Sequence, residues 1–404
     1  MTTESTEPGL LVYGASWCPD CRRAKEFLGR HRIPYSWIDL ENSPADTAIV
    51  EKINNGKRII PTIVFSDGTI LVEPSNDELA DKLGLSRSAQ SKQYDLLIVG
   101  AGPTGLTTSI YTARENISTL VVEKSVTGGQ AGITEKLDNY PGFPDGIAGR
   151  DLAERITRQA EKYGVEILQA VSVNRMEKRD SRICVTLSTG EVIAAKAVLI
   201  ATGSTYRRTG ATGESDLIGA GIHFCATCDG PFYKGAKDLV VVGGGNSGLE
   251  EGLFLTQFAD RVTIVQSNDQ LSASKLLQEK VMNHPKMRVL LNTDVTEFIS
   301  DPGGKLASVS ARDKVKNEAI TLAASGAFIF IGLDPNTAFL GNDIELDSRK
   351  FILTDRTFST NIPGVFAAGD VREGSTKQMA SAVGEGAAAA IQIRYYLDSV
   401  NIHP

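Results

Sequence analysis

The 404-residue chain is poor in the residues that several function classes require. It has five cysteines and four histidines. Five cysteines at this length make no disulfide framework. Zinc coordination would need a second cysteine pair, or histidines, at ligand spacing. The two close pairs, Cys18/Cys21 and Cys225/Cys228, lie far apart, and His223 is the only histidine close to the second. Basic residues are also short, 42 Lys and Arg against 49 Asp and Glu, and a net charge of -7 argues against a nucleic-acid partner. No apolar run approaches the ~20 residues of a membrane helix. Met1 to Pro8 lacks the apolar centre of a signal peptide. The expectation is a cytoplasmic, soluble protein of two or three domains, with no metal and no membrane or nucleic-acid partner.

Two cysteine pairs in a reducing compartment point to turnover. The chain is organised around Cys225-Ala226-Thr227-Cys228-Asp229-Gly230, a dithiol with a carboxylate directly behind it. An apolar strand, Leu239 to Val242, and a glycine-rich turn follow within a few residues, so the pair sits beside a nucleotide site. Cys184, the fifth cysteine, falls in an alternating run (182–187) and is expected to be a small buried hydrophobe.

In chain order, residues 10–85 read as a small α/β unit. Cys18-Pro19-Asp20-Cys21 opens a helix, and a helix N-terminus stabilises a thiolate. Pro61 lies inside a strand pattern (59–65), where proline is unusual. Residues 86–93 read as a polar linker that tethers this unit at an effective concentration of order millimolar.

The strand of residues 95–99 then leads into Gly100-Ala101-Gly102-Pro103-Thr104-Gly105 and a helix, and a second strand ends in Glu123. This order of parts is the context in which a G-x-G-x-x-G turn binds a dinucleotide, with the acidic residue on a ribose 2′-hydroxyl. The pattern recurs with Gly243, Gly245, Asn246, Ser247 and Gly248. Glu123 stands 23 residues after Gly100, and the same spacing from Gly243 falls on neutral Gln266. No arginine occurs between Gln266 and Ser274, and Lys275 and Lys280 are the only basic residues nearby in sequence. A 2′-phosphate wants a cationic fork, so the residues favour NADH, with NADPH possible through partial rescue by Lys275. Two nucleotide modules imply one nucleotide held and one exchanged.

Residues 93–404 resemble the low-molecular-weight thioredoxin reductases. The likeness rests on the 225–230 motif, Gly128-Gly129-Gln130, Asn139-Tyr140-Pro141-Gly142, Ala201-Thr202-Gly203 and Gly369-Asp370-Val371. It implies FAD held through Gly100, Gly102, Pro103, Thr104, Gly105, Glu123, Gly129, Gln130, Asn139, Gly203, Gly369, Asp370, Lys377, Gln378 and Met379. It also implies that Cys228 lies next to the flavin, Cys225 exchanges with the next disulfide, Asp229 is the acid/base, and the enzyme is a homodimer with a rotating nucleotide domain. Two departures stand out. The paired arginines of the family are replaced at Gln266-Ser267-Asn268, closer to the flavoprotein subunit of alkyl hydroperoxide reductases, and an N-terminal redox domain is fused on. That domain resembles mycoredoxin-like glutaredoxins through Trp17-Cys18, Pro61-Thr62 and Pro74-Ser75, with Pro61 as the cis-proline facing the cysteines. Pro74-Ser75 replaces the Gly-Gly of glutathione-binding members.

The expected fold class is α/β: a glutaredoxin-like thioredoxin-fold domain (1–85), a linker (86–93), an FAD domain (94–206 and 326–404) and an inserted NAD(P)H domain with the redox pair (207–325). The expected function passes electrons from a nicotinamide nucleotide through FAD and Cys225/Cys228 to Cys18/Cys21, then to a protein or small-thiol disulfide. The rivals are an NADH-linked peroxiredoxin reductase, a redox-sensing flavoprotein that barely turns over, and a peroxide-producing NADH oxidase, which needs neither dithiol.

Overall fold

The computed structural model describes residues 10–402 apart from 32, 134–136 and 138; the polar segment Met1–Pro8 lies outside them. The N-terminal unit contains β1 (Leu10–Gly14), α1 (Pro19–Arg30), β2 (Ser36–Asp39), α2 (Pro44–Ile53), β3 (Thr62–Phe65), β4 (Ile70–Val72) and α3 (Asn76–Lys82). Its sheet runs β2-β1-β3-β4, with β1 and β2 parallel and the other pairs antiparallel. Proline opens α1 and α2, where its missing N–H costs nothing, and Cys18, Ser43 and Ser75 cap the three helices. The Ile60–Pro61 peptide is cis, as the resemblance implied.

The next unit contains β5 (Gln93–Val99), α4 (Pro103–Arg114), β6 (Thr119–Val122), α5 (Gly149–Lys162), β7 (Glu166–Leu168), β8 (Val173–Arg179), β9 (Arg182–Leu187), β10 (Val192–Ile200) and β11 (Ser204–Tyr206). The sheet runs β7-β6-β5-β10-β9-β8. Residues of β5 alternate between two cores, Leu97 and Val99 to one face, Leu96 and Ile98 to the other. A sheet covered on both faces explains why β5 and β6 read as continuous apolar runs.

The inserted unit contains β12 (Ile222–His223), α6 (Ala226–Asp229), β13 (Ala236–Val242), α7 (Asn246–Leu255), β14 (Ala259–Val265), α8 (Lys275–Met282), β15 (Met287–Leu290), β16 (Thr293–Ser300), β17 (Leu306–Asp313), β18 (Glu318–Ala323) and β19 (Gly326–Ile329). Its parallel sheet runs β12-β19-β13-β14-β15, beside an antiparallel β16-β17-β18 sheet. The chain returns through β20 (Leu333–Pro335), which pairs with β11, then β21 (Val365–Ala367) beside β10, and α9 (Met379–Ile402).

Three expectations change. Residues 326–329 were assigned to the FAD domain, but β19 pairs with β12 and β13, so the inserted unit extends past 325. An apolar strand does not announce which sheet it joins. Cys184 is half-buried and unbonded, because its neighbours Ile183 and Val185 take the core-facing positions of β9. Residues 86–92 are no slack tether. Glu191 accepts from Ser88 Oγ (2.9 Å) and the Ala89 N–H (3.3 Å), and Glu166 accepts from the Gln90 N–H (2.7 Å). Arg87 ties the same segment to Asp77 on α3 at 2.5 Å.

Candidate redox and nucleotide sites

Cys225 caps the short helix α6 and is disulfide-bonded to Cys228, whose N–H points at the Cys225 sulfur (3.1 Å). The Asp229 carboxylate lies 3.5 Å from His223 Nδ1, and His223 Nε2 is 2.7 Å from the Tyr233 hydroxyl. The imidazole is 8% exposed and packs on Phe328, so Asp229 ends a polar chain running through an apolar wall. Sequence reading weighed His223 only as a metal ligand. Among the described residues no group of three His, Cys, Asp or Glu could hold a metal. Burial, then the charges of Asp370, Asp229 and Glu251, push the Tyr206 phenol up to about 12. Carboxylates of both Rossmann-like units thus act electrostatically on this one phenol. Glu251 was also missed: burial raises its carboxyl, and its Oε2 is buried without a hydrogen-bond partner.

The two glycine turns have the same construction. Gly100 has φ +106°, and a Cβ there would meet the Ala201 carbonyl at 2.5 Å. Gly105 abuts the Gly100 carbonyl so closely that a Cβ would fall 2.0 Å from it. Gly102, before Pro103, heads α4 with no side-chain cap, and nothing lies within 4 Å of where its Cβ would be, so the free N–H groups of that helix can take an anionic group. In the second turn Gly243 has φ +121° and Gly248 would place a Cβ 2.1 Å from the Gly243 carbonyl. Gly245 heads α7, again uncapped, and Asn246 and Ser247 are exposed in its first turn. Asn246 Oδ1 accepts the Ser274 N–H at 2.8 Å, which folds the segment before α8 against the turn.

The ribose positions are parallel but not equal. Glu123 accepts the Ala101 N–H (2.8 Å) and the Ser125 N–H (2.8 Å), while burial raises its carboxyl. Gln266 accepts the Gly244 N–H at 2.9 Å and donates to the Gln270 carbonyl at 3.1 Å. The side chain is buried and its amide is shared between the glycine turn and the loop after β14. The neighbouring cation also differs from expectation: Lys314 Nζ, from the hairpin between β17 and β18, donates to Ser267 Oγ at 3.0 Å.

Of the remaining expected flavin residues, Gly129 meets Gly102 and Gly369 meets Thr104. Gly129 would place a Cβ 3.3 Å from Gly102 Cα, and Gly129 and Gln130 are exposed at the start of a single turn. Asn139 Nδ2 donates to Gln378 Oε1 at 3.2 Å. Gly369 has φ +76° against Thr104 Oγ1, and Thr104 donates to the Ala382 carbonyl at 3.0 Å, so this hydroxyl locks α4 to α9. Burial raises the Asp370 carboxyl. Lys377 donates to the Asp370 carbonyl at 2.7 Å and lies over Phe351, closing its own loop instead of reaching outward. The Met379 side chain packs on Leu137, Ile147 and Leu152. Gly203 has φ +65°, and its carbonyl accepts the Asn336 N–H at 3.0 Å. The open space at Gly102, the uncapped α4 and the buried carboxyls of Glu123 and Asp370 fit an adenine dinucleotide such as FAD.

In the N-terminal unit the Cys21 N–H points at the Cys18 sulfur (3.2 Å), and both thiols are free. Cys21 is fully buried, and burial, then the hydrogen bond with Cys18, pushes its thiol up to about 12. Trp17 beside Cys18 is 62% exposed. A cleft between the starts of α1 and α3 is lined by Asp20, Arg23, Glu73, Ser75, Asn76, Asp77 and Glu78.

A profile of the family "Pyridine nucleotide-disulphide oxidoreductase" matches residues 94–386, and one of "Glutaredoxin" matches residues 10–70. The chain is 40% identical over 315 residues to a thioredoxin reductase of Listeria innocua, covering 78% of this chain and 97% of that one. It is 38% identical over 312 residues to one of Bacillus subtilis, covering 77% and 97%. Among solved structures, a thioredoxin reductase from Streptococcus pyogenes superposes with a TM-score of 0.72 at 38% identity, covering 76% of this chain and 99% of that one. The chain belongs to the pyridine nucleotide-disulphide oxidoreductase family and is a disulfide oxidoreductase. Within that family it is a low-molecular-weight thioredoxin reductase type carrying a fused N-terminal glutaredoxin domain. Family membership implies FAD and a nicotinamide nucleotide. Among the described residues no helix is long and apolar enough to cross a membrane.

Proposed function

We propose that the chain is a self-contained relay, moving electrons from NADH through FAD and Cys225/Cys228 to Cys18/Cys21 and on to a disulfide substrate. The observation that carries it is the presence in one chain of two Cys-x-x-Cys sites, each with its first cysteine capping a helix, one in the inserted nucleotide unit and one in the glutaredoxin unit. In this reading Gly100, Gly102, Gly105, Glu123, Asn139, Gln378 and Asp370 cradle FAD, and the α7 turn takes the exchanging nucleotide. FAD supplies hydride acceptance from the nicotinamide and an electron pair for the disulfide. With FAD bound, Cys228 would be the sulfur that takes this pair and Cys225 the thiol that leaves; Asp229, oriented by His223, would protonate Cys225 and take the proton back before Cys225 attacks. Cys225 thiolate then attacks the disulfide of Cys18 and Cys21 at Cys18, and Cys21 leaves and takes a proton. Attack of Cys228 on Cys225 releases Cys18 as thiolate, re-forming the 225–228 bond. Cys18 attacks the substrate disulfide, and Cys21 resolves the mixed disulfide.

The loop after β14, which holds no arginine and carries Asp269, supports NADH over NADPH. The predominantly acidic cleft between the starts of α1 and α3 supports a protein or uncharged small-thiol disulfide over anionic glutathione, because like charges repel there. A homodimer in the cytoplasm belongs to the same proposal.

The test is Cys225→Ser. NADH added anaerobically should bleach the flavin at an unchanged rate while Cys18/Cys21 stays oxidised. Normal reduction of the N-terminal disulfide in this variant would overturn the order of the relay.

A further inference from the structure

Selectivity at the adenosine ribose depends on what surrounds Ser267, the first residue beyond the ribose-reading position. The backbone there is fixed by a ladder of contacts. Gln266 donates its N–H to Leu290 (2.8 Å), Asn292 donates to Asn268 (2.9 Å), and Lys314 donates to Asn292 (2.8 Å). The hairpin turn carrying Lys314 is therefore stitched, through residues 290–293, to the loop that meets the ribose. The Lys314 side chain reaches Ser267 Oγ at 3.0 Å and Asp294 Oδ1 at 3.5 Å. Both members of the ion pair are about half exposed, 41% and 47%, so they are open to a ligand arriving at Ser267.

We infer that Lys314 and Asp294 form the charge pair that reads the nucleotide 2′ position, Lys314 attracting a 2′-phosphate and Asp294 opposing it. This rests on the nucleotide assignment proposed for the α7 turn. A 2′-hydroxyl needs only a hydrogen-bonding neighbour, which Ser267 Oγ supplies. A 2′-phosphate brings ~1.5–2 negative charges. At Ser267 it meets one ammonium, a point charge without the two-pronged geometry of arginine. Asp294 already shares that ammonium and repels the phosphate in addition. The pair is thus without effect on NADH, and Asp294 offsets the attraction that Lys314 would otherwise give NADPH. Lys275, the first cation after the loop, is not needed for this.

Two variants of the full-length FAD-loaded enzyme test the inference, together with direct binding of adenosine 2′,5′-bisphosphate and adenosine 5′-phosphate. Asp294→Asn should raise kcat/KM for NADPH and affinity for the bisphosphate by about 3- to 5-fold, the size of an exposed charge interaction. Lys314→Met should lower both by a similar factor of about 3 to 5. Each variant should leave NADH and the 5′-phosphate within about 2-fold, since a neutral 2′-hydroxyl has no charge to read. The Lys314-dependent part should shrink as ionic strength rises. Equal effects on both nucleotides, or none on their ratio, would overturn the role of the pair. A wild-type preference for NADPH with both variant effects intact would instead contradict only the NADH reading.

Discussion

Cys21 keeps its proton at neutral pH, because burial and the Cys18 contact push its thiol up to about 12. A folded-state value raised this far leaves the protonated form in place throughout the range below it. Cys18, itself buried but next to exposed Trp17, is therefore the sulfur left to react with an external reagent. Alkylation of the reduced protein near neutral pH should modify Cys18 first, read by peptide mass, and Cys21→Ser should leave that labelling in place. Preferential modification of Cys21 would reverse the roles. The Asp229–His223–Tyr233 chain and the orphaned Glu251 oxygen show a different limit of residue-level reading. The acid/base carboxylate was visible from its position behind the dithiol. Its support was not, since β12 and the turn near Tyr233 meet only in the folded unit.

At the scale of elements, the strand–turn–helix units could be read because everything that defines them is local. The glycine spacing, the strand before it and the acidic or amide residue after the second strand all fall within one stretch of chain. The second turn also carries a testable packing constraint. A Cβ on Gly244 would meet Leu271 Cδ2 at 2.6 Å and Gln266 Cδ at 2.9 Å. Gly244→Ala should cost ~1–3 kcal/mol, as overpacking does. By displacing Gln266 it should also weaken nicotinamide-nucleotide binding while flavin content stays normal. Thermal unfolding and flavin absorbance check both halves; an unchanged KM with lost flavin would contradict the assignment of the two turns. What the sequence did not reveal depends on distant register. The run at 326–329 reads as a strand, but its partners β12 and β13 follow from sheet order. Lys314 lies 47 residues from Ser267 and meets it only because the β17–β18 hairpin folds back on the nucleotide loop. Gln266 occupies the expected position, yet the Gly244 and Gln270 backbone groups claim its amide.

The whole molecule joins a glutaredoxin domain to a reductase through a segment that is bound along its length. Glu191 and Glu166 hold Ser88, Ala89 and Gln90, and Arg87 reaches back to Asp77 and Asp81. The millimolar effective concentration of a flexible tether does not describe such a segment, and the N-terminal dithiol is presented by a docked arm. Lys92, then burial and the Ser88 and Ala89 groups, set the net lowering of the Glu191 carboxyl. Its contribution to docking is therefore present at neutral pH and lost as pH falls through that lowered range. The relay itself is tested most directly by counting electrons. The fully oxidised chain should take up about three equivalents of NADH anaerobically, one each for FAD, Cys225/Cys228 and Cys18/Cys21, since each is a two-electron couple. Thiol counting afterwards should find Cys18 and Cys21 reduced. Uptake ending at about two equivalents, with the N-terminal disulfide intact, would contradict the relay.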